Sequence, residues 1–296
     1  NLSELKLRAG WGIVGNDTGG YAYLARVGSG GNYPIGGQTM PGTYPVTIAN
    51  DDLKWEESEQ TNIGLDLSLF ANRLNFTIDA YHKRTRDLLL SAPLPRGTGF
   101  DSAVQNVGEL ENKGIEFSVN GYIVNNDVFT WNSNFNISFN RNKVINVVGQ
   151  EIFYGGIAGR GEVSLVRQGE PLGVFYGYIW GGVDPQTGDA YYITQDGEST
   201  FSPSADDRRI IGDPNPDFTY GFTNTFSYKN FGLNVFLQGS QGNDLFNATR
   251  IETEGMIDSK NQSAAVLNRW RQPGDITNIP RAVVGNTDNS RISTRF

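Results

Sequence analysis

The 296-residue sequence contains no cysteine and a single histidine, and hydrophobic residues make up only 38% of it. The absence of cysteine excludes disulfides and thiolate metal sites. The lone His82 has no second histidine with which to build a zinc site, so we expect it to be interfacial or structural. No apolar run approaches the roughly 18 residues that a membrane-spanning helix needs. A disulfide scaffold and a helical membrane protein are therefore excluded.

Positive charge is also scarce, because 24 Lys and Arg residues stand against 32 Asp and Glu residues, a formal charge of −8. This balance argues against nucleic acid as a partner, since phosphate binding needs clustered basic residues. The sequence is instead rich in 37 Gly, 17 Phe, 13 Tyr and 5 Trp. That composition favours β-strands. Low average hydropathy is compatible with a membrane barrel, whose strands are apolar only at alternate positions.

Period-two alternation of apolar and polar side chains is the main structural signal. In the first segment Leu5, Leu7, Ala9, Trp11 and Ile13 share one face, and Lys6, Arg8, Gly10 and Gly12 share the other. The same pattern predicts six further strands, at 62–69, 74–81, 115–123, 129–140, 220–228 and 233–237. They form three hairpins, with turns at 70–73, 124–127 and 229–230. The third hairpin is less regular, because Asn224 falls on its apolar face and Phe236 on its polar face.

The connections alternate between short and long. The three turns are short, and the other connections, 14–57, about 88–110, 142–217 and 241–296, are long. A soluble sandwich has no reason to keep every second loop minimal, whereas a transmembrane barrel has short periplasmic turns and long external loops. We therefore predict an all-β fold, a transmembrane antiparallel β-barrel with a polar lumen face. One helix is predicted in the last loop, at 262–271, ended by Gln272-Pro273-Gly274.

Five segments, in order along the chain, carry a family resemblance. They are 5–16 (LKLRAGWGIVGN), 53–66 (LKWEESEQTNIGLD), 106–116 (NVGELENKGIE), 171–178 (PLGVFYGY) and 212–218 (GDPNPDF). Together they resemble the TonB-linked outer-membrane transporters of the SusC/RagA type. Because the segments span nearly the whole chain, the resemblance is more specific than any single motif.

The resemblance implies a fragment of a plugged barrel of about 22 strands, with 1–296 as one partial barrel domain. It places the plug domain, the TonB-contacting box and half of the barrel before this domain, and further strands after Ser290–Phe296. The implied function is TonB-dependent import of an oligosaccharide or peptide across the bacterial outer membrane, without catalysis or a cofactor. The implied partners are a SusD-like surface lipoprotein, the TonB complex acting through the N-terminal part, and outer-membrane lipid.

Two alternatives stay open. One keeps the barrel class but makes it a siderophore or metal-chelate receptor. The other is a surface adhesin or glycan-binding β-domain, which detergent-free extraction would reveal.

An aromatic group in the connection 142–217 is the candidate binding site. Its members are Tyr154, Phe175, Tyr176, Tyr178, Trp180, Tyr191 and Tyr192. Aromatic faces stack on sugar rings and contact protein partners, and tyrosine hydroxyls bond sugar oxygens. The competing interpretation is a packed loop whose aromatic residues form its own core. A connection of this length without strong secondary-structure signals is usually functional or disordered.

Three other motifs receive structural interpretations. Glu56, Glu57 and Glu59 are expected at a solvated loop end rather than as a glycosidase pair. The segment Gly155–Gly161 lacks the Gly-Lys-Ser/Thr of a phosphate loop and is predicted to be a flexible loop. Asp184–Asp189 and Gln195–Glu198 lack the ligand spacing of a calcium loop and are predicted to be turns, with calcium binding left open.

Overall fold

The computed structural model describes residues 1–17, 20–21, 23–100, 102–147, 151–157, 159–285 and 287–296. Its strands, in chain order, are β1 Leu2–Asn16, β2 Arg26–Ser29, β3 Tyr33–Ile35, β4 Gln38–Met40, β5 Thr43–Thr47, β6 Glu56–Leu69, β7 Leu74–Pro93, β8 Ser102–Asn125, β9 Phe129–Asn146, β10 Ile152–Ile157, β11 Gly161–Val166, β12 Val174–Gly177, β13 Ile179–Val183, β14 Ala190–Ile193, β15 Ser199–Thr200, β16 Arg209–Gly212, β17 Phe218–Tyr228 and β18 Phe231–Gln241. The helix α1 spans Ala248–Glu254, and 3-10 turns span Arg96–Thr98, Ala205–Asp207, Ala264–Asn268 and Thr287–Ser290.

The chain divides into two compact units. Unit 1 comprises Asn1–Gln150 and Phe218–Gly239, and unit 2 comprises Glu151–Asp217 and Ser240–Phe296. Unit 1 is built on a seven-stranded sheet in the order β1-β6-β7-β8-β9-β17-β18. The five pairs from β1 to β17 are antiparallel. The seven strands predicted from the alternation are therefore confirmed, in the predicted hairpin order.

Cross-strand register aligns the two chemical faces of this sheet. One row of paired residues is apolar and contains Leu7, Leu65, Ile78, Phe117, Ile137 and Tyr220. The neighbouring row is polar and contains Lys6, Asp66, Thr77, Ser118, Asn136 and Gly221. Because successive side chains point to opposite faces of a strand, the rows define one apolar face and one polar face. The predicted register is confirmed.

The apolar face has the height of a bilayer core. On β9 it runs from Phe129 to Phe139, about 33 Å along the strand at about 3.3 Å per residue. A strand tilt of about 40° reduces this to about 25 Å, which matches the apolar band of roughly 25 Å in outer-membrane barrels. Aromatic pairs reinforce it, since the ring centroids of Phe135 and Phe222 are 6.2 Å apart. These strands are long enough to cross the hydrocarbon.

Beyond Ala80 and Phe139 the same face becomes charged. The next two rows contain Thr61, His82, Lys113 and Arg141, then Glu59, Arg84, Glu111 and Lys143. His82 Nε2 lies 2.9 Å from Glu111 Oε2, which is the structural role expected for the only histidine. On the opposite face Val144 is only 2% exposed. The apolar row therefore ends here, which marks the edge of the hydrocarbon band.

Two connections of unit 1 differ from the prediction. The loop expected at about 88–110 is shorter, because β7 continues to Pro93 and β8 starts at Ser102. Glu57 and Glu59 lie inside β6, and only Glu56, its first residue, lies at a loop end as predicted. Two of these carboxylates accept bonds from β1: Trp11 Nε1 donates to Glu59 over 3.1 Å, and Asn16 Nδ2 donates to Glu56 over 3.1 Å. Antiparallel pairing of long strands extends the sheet into segments that alternation alone did not identify.

Unit 2 contains two small sheets, one of four strands in the order β10-β11-β12-β16 and one of three strands in the order β13-β14-β15. The long connection 142–217 is therefore regular structure, contrary to the expectation of weak secondary structure. The helix predicted at 262–271 was wrong in extent, since only the 3-10 turn Ala264–Asn268 forms there. The helix α1 was not predicted. No helix among the described residues combines the length and hydropathy needed to cross a bilayer.

The core of unit 2 draws on distant parts of the chain. Val163, Ile251, Ile292 and Phe296 form its buried hydrophobic cluster. The segment 287–296 contributes further fully buried side chains, including Ser290 and Ser293. Main-chain bonds hold this segment, because Tyr178 N donates to Ile292 O over 2.9 Å and Thr294 N donates to Tyr178 O over 3.1 Å. Residues more than a hundred positions apart thus fold together.

Candidate functional site

All seven aromatic residues proposed from the sequence lie in unit 2, but they do not form one surface. Tyr178, Trp180 and Tyr192 pack together. The rings of Tyr178 and Trp180 meet the Tyr192 ring edge-on, at centroid distances of 5.7 and 5.5 Å. Tyr192 is 0% exposed, and its hydroxyl donates to the backbone oxygen of Asp288. Tyr192 therefore belongs to the core and supports the other two rings from behind.

Two arginines from the end of the described chain cover this aromatic group. The Arg295 guanidinium lies 5.0 Å from the Trp180 ring centroid, and that of Arg291 lies 5.6 Å from the Tyr178 ring centroid. Arg295 is buried and donates to Asn289 O over 2.7 Å. Burial lowers the pKa of Arg295 to about 10. It stays protonated at neutral pH, so the cation and the rings attract each other.

A second aromatic group is more accessible. The rings of Phe153 and Tyr176 lie 5.7 Å apart. Arg208 stacks over the Tyr176 ring at 4.7 Å, and Arg167 lies 5.3 Å from the same centroid. Arg167 Nε also donates to Glu151 over 2.6 Å. Tyr176 thus has two cations near its ring, and its side chain is half-buried.

The remaining three candidates are separate. Tyr154 is 45% exposed. Phe175 packs on Phe246 at 5.8 Å in the hydrophobic core. Tyr191 packs on Phe201 at 6.3 Å, and a Cβ at Gly181 would lie 2.4 Å from its ring, so glycine is needed for this close approach. Of the proposed group only Tyr154 is exposed, Tyr192 is buried, and the other five side chains, Tyr176 among them, are half-buried.

Sequence reasoning missed the arginines, which carry much of the chemistry of unit 2. Each of these arginines is distant in sequence from the ring that it covers. The pairs are Arg208 with Tyr176, Arg291 with Tyr178 and Arg295 with Trp180. The sequence shows that these arginines are present, but an isolated arginine in a loop gives no indication of the aromatic ring that it will contact. Tertiary packing decided these pairs.

The structure confirms the turn interpretation at Asp184. Asp184 Oδ1 accepts from Gln186 N over 2.6 Å and from Thr187 N over 3.1 Å. These bonds are those of an Asx turn, as the turn interpretation predicts. Across the described ranges no three His, Cys, Asp or Glu side chains cluster in a way that could hold a metal ion.

In unit 1, the side chain of Asn106 connects two other parts of the chain, at Lys54 and at Asp87. Asn106 Nδ2 donates to Lys54 O over 2.7 Å and to Asp87 O over 2.9 Å, and its Oδ1 accepts from Lys54 N over 2.9 Å. The Lys54 ammonium also lies 2.6 Å from Asp87. Asn106 therefore fastens the segment before β6 to the β7–β8 hairpin, which explains why an asparagine occupies this position.

Long antiparallel strands, a bilayer-high apolar face and a polar opposite face define the wall of a transmembrane β-barrel. The comparisons with known proteins agree. A family model described as "TonB dependent receptor-like, beta-barrel" matches residues 3–157. The chain belongs to this family of TonB-dependent receptors, and it is a protein of the bacterial outer membrane.

Individual relatives support the assignment along the whole chain. TonB-dependent receptor P3 of Formosa agariphila is 38% identical, over 100% of this chain and 31% of its own length. TonB-dependent receptor SusC of Bacteroides thetaiotaomicron is 32% identical, over 86% of this chain and 27% of its length. The structure of the RagAB peptide transporter is similar with a TM-score of 0.81 at 29% identity, covering 96% of this chain and 32% of that one. The chain spans about a third of the length of these relatives.

Proposed function

We propose that this chain forms part of the wall and external surface of a transporter that imports a peptide or oligosaccharide across the outer membrane. Energy would come from the TonB complex through the N-terminal part of the protein, and a SusD-like lipoprotein would cover the external opening. Residues 1–296 would be one partial barrel domain of a plugged barrel of about 22 strands. No step makes or breaks a covalent bond.

The observation that carries this proposal is the extent of the structural similarity. The match to the RagAB peptide transporter covers 96% of the chain, and therefore includes unit 2 as well as the barrel wall. Similarity confined to the barrel wall would support only the fold, because every outer-membrane barrel has such a wall. Similarity that includes the loop-derived unit supports a shared mode of transport, and it favours peptide over a metal chelate as the imported class.

The polar face of unit 1 suits a water-filled lumen. Arg8 joins three strands, since its guanidinium lies 2.8 Å from Asp66 and 2.8 Å from Asp79. Such groups are stable only where water or ion partners satisfy them. Charged residues on this face therefore support a wet interior along which a polar nutrient passes.

Unit 2 supplies the surface for recognition in this proposal. Tyr176 presents a ring that two arginines hold in place, and Tyr154 presents an exposed ring and hydroxyl. Rigid aromatic side chains lose little conformational entropy on binding and often anchor interfaces. We infer that Tyr176 and Tyr154 contact the substrate, the lipoprotein partner, or both, while Trp180 and Tyr178 pack on Tyr192.

The test is growth and uptake with one limiting nutrient at a time. A strain that lacks the full-length protein should lose growth on a peptide or oligosaccharide mixture and keep growth on free amino acids or monosaccharides. Loss confined to an iron chelate would establish the siderophore alternative instead. Normal growth in every medium, or a protein extracted without detergent, would contradict the transporter.

A point variant then tests the surface. Tyr176→Ala should weaken substrate or partner affinity by more than about 1 kcal/mol, roughly fivefold, with normal barrel assembly. Tyr228→Ala is a matched control, because Tyr228 is 48% exposed but lies in unit 1 at the end of β17. Equal effects of the two changes would remove Tyr176 from the proposed surface.

A further inference from the structure

Three arginine side chains line one concave site in unit 2. Arg160, Arg208 and Arg291 surround it together with Tyr178, Thr287 and Ile292, and its volume is about 210 Å³. Sites for whole small-molecule ligands usually have about 300–1,000 Å³. This site therefore has the size for one functional group of a larger ligand. It includes an arginine from the glycine-rich segment Gly155–Gly161, to which neither the fold nor the proposed function assigns a role.

The site has more positive than negative charge. Arg291 is paired, since its Nε and Nη2 donate to Asp288 Oδ1 over 3.0 and 2.7 Å. The hydrogen bonds described for Arg208 and Arg160 are all donated to neutral backbone carbonyl oxygens. Arg208 Nη2 donates to the backbone oxygens of Glu162 and Tyr176, each over 3.0 Å, and Arg160 Nη1 donates to Gly159 O over 3.0 Å. Carbonyl oxygens fix a guanidinium without neutralising it, so the site favours an anion.

Aromatic rings hold two of the three guanidinium groups in place. Arg208 lies 4.7 Å from the Tyr176 ring centroid and 5.8 Å from that of Phe153, and Arg291 lies 5.6 Å from that of Tyr178. Stacking on a ring fixes the plane of a guanidinium and leaves its N–H edge available. The cations are thus oriented before any ligand arrives, which lowers the entropy cost of binding.

One donor in the site lacks an acceptor. Arg160 Nε is buried, and no hydrogen-bond partner for it exists among the residues that the structure describes. A buried N–H without an acceptor is unfavourable. The fork of the Arg160 guanidinium matches two oxygens of a carboxylate or sulfate.

We propose that Arg160, Arg208 and Arg291 form a subsite for an anionic group, a carboxylate or sulfate, on the imported oligomer. The proposal rests on the proposed transport function and narrows its substrate to acidic oligomers. Two sources share this chemistry, an acidic peptide and a glycan that carries uronate or sulfate. The subsite selects the charged group, and the rest of the oligomer is bound elsewhere.

The test measures binding of four probes to the full-length protein in detergent. They are a labelled glutamate-rich hexapeptide, its glutamine analogue with an amidated C-terminus, an oligoglucuronate and a neutral glucose oligomer of equal length. One anionic probe should bind at least tenfold more tightly than its neutral counterpart, and the one that does identifies the source. Equal affinity within both pairs, or no binding of either anionic probe, overturns the subsite.

Variants place the effect at the site. Arg160→Gln is the informative change, because the only bond described for this side chain is to its neighbour Gly159. It should remove the preference for the anionic probe, while Arg160→Lys keeps part of it because the charge remains without the fork. Arg271→Gln is the control, an exposed arginine of unit 2 outside the site. An unchanged preference in Arg160→Gln overturns the proposal.

Uptake separates this proposal from the transport function. Normal import of a neutral oligomer without any preference for charge refutes the subsite and leaves the transporter intact. Charge-selective binding without any uptake supports the subsite and refutes transport.

Discussion

The indole Nε1 of Trp131 donates a hydrogen bond of 2.9 Å to the side-chain oxygen Oδ1 of Asn224. Asn224 pairs with Ser133 on the apolar face of β17 and is only 9% exposed. An amide without a partner on a lipid-facing surface is costly, because hydrocarbon offers no hydrogen bond. The Trp131 indole on the neighbouring strand β9 supplies the hydrogen-bond donor. The irregular position of the third hairpin is thus a satisfied polar pair.

This pair predicts non-additive mutations. Trp131→Phe leaves the Asn224 oxygen without its donor and should lower the free energy of unfolding by about 1–3 kcal/mol. In an Asn224→Leu background the same change should cost less, since no acceptor remains. Urea unfolding of the full-length protein in lipid, followed by gel mobility, measures both. Equal costs of Trp131→Phe in the two backgrounds would show that the bond contributes nothing.

Neighbouring positions of β9 should tolerate charge differently. Ile137 lies in the apolar row between Phe117 and Tyr220, and Asn136 lies in the polar row beside Ser118. Ile137 lies two residues inside the edge of the apolar band at Phe139, so Ile137→Arg should cost about 1–2 kcal/mol, and Asn136→Arg should cost less, because it enters a wet lumen. Folding into lipid vesicles under a urea gradient gives both values. Equal tolerance of the two arginines would contradict the assignment of the faces.

Trp180 should act mainly in the stability of unit 2. Its ring packs on Tyr192 at 5.5 Å and lies under Arg295 at 5.0 Å. We expect Trp180→Ala to destabilise this unit by about 1–3 kcal/mol, less than the loss for a fully buried ring. Limited proteolysis of the full-length protein should show faster cleavage within 151–217. Tyr154→Ala is the control with little effect. Weaker ligand binding at unchanged protease resistance would instead place Trp180 in the binding surface.

Tyr192 should make unit 2 sensitive to alkali. Burial raises the pKa of Tyr192 above its ordinary value of about 10. The unfolded chain therefore loses this proton first, so the stabilisation is complete below pH 10 and is lost as the pH rises towards the folded-state value. The melting temperature should fall more between pH 9 and 11 in the wild type than in Tyr192→Phe. Parallel curves for the two proteins would contradict this assignment. The contribution of Arg295 to stability changes with pH in the opposite direction, because burial lowers the pKa of Arg295.

The sequence by itself determined the barrel wall. Alternation placed Leu7, Ile78 and Ile137 on one face and Asn136 on the other, and the observed register agrees at each position. This works because pleating has a period of two residues, so local sequence states which face each side chain occupies. Short turns fixed the order of neighbouring strands, and the family-like segments identified the SusC/RagA type.

The sequence underestimated the length of the strands. β7 and β8 continue beyond the alternating region, where Asp87 adopts φ 57° at an irregularity in their pairing. A bulge shifts the alternation by one residue, so the periodic signal breaks although the strand continues. Pairing with a neighbour, rather than local pattern, keeps such segments extended.

Only the tertiary structure decided the architecture of unit 2. Its short strands contain too few residues for a periodic signal, and its core joins Val163 to Ile292 across more than a hundred positions. Arg295 over Trp180 and Trp131 beside Asn224 are contacts of the same kind. The stabilisation from each contact depends on a partner that is distant in the sequence. Local sequence therefore does not predict it, since burial and hydrogen bonding require two groups to meet in the folded structure. The wall follows from a repeating local rule, whereas the fold of unit 2 follows from long-range packing.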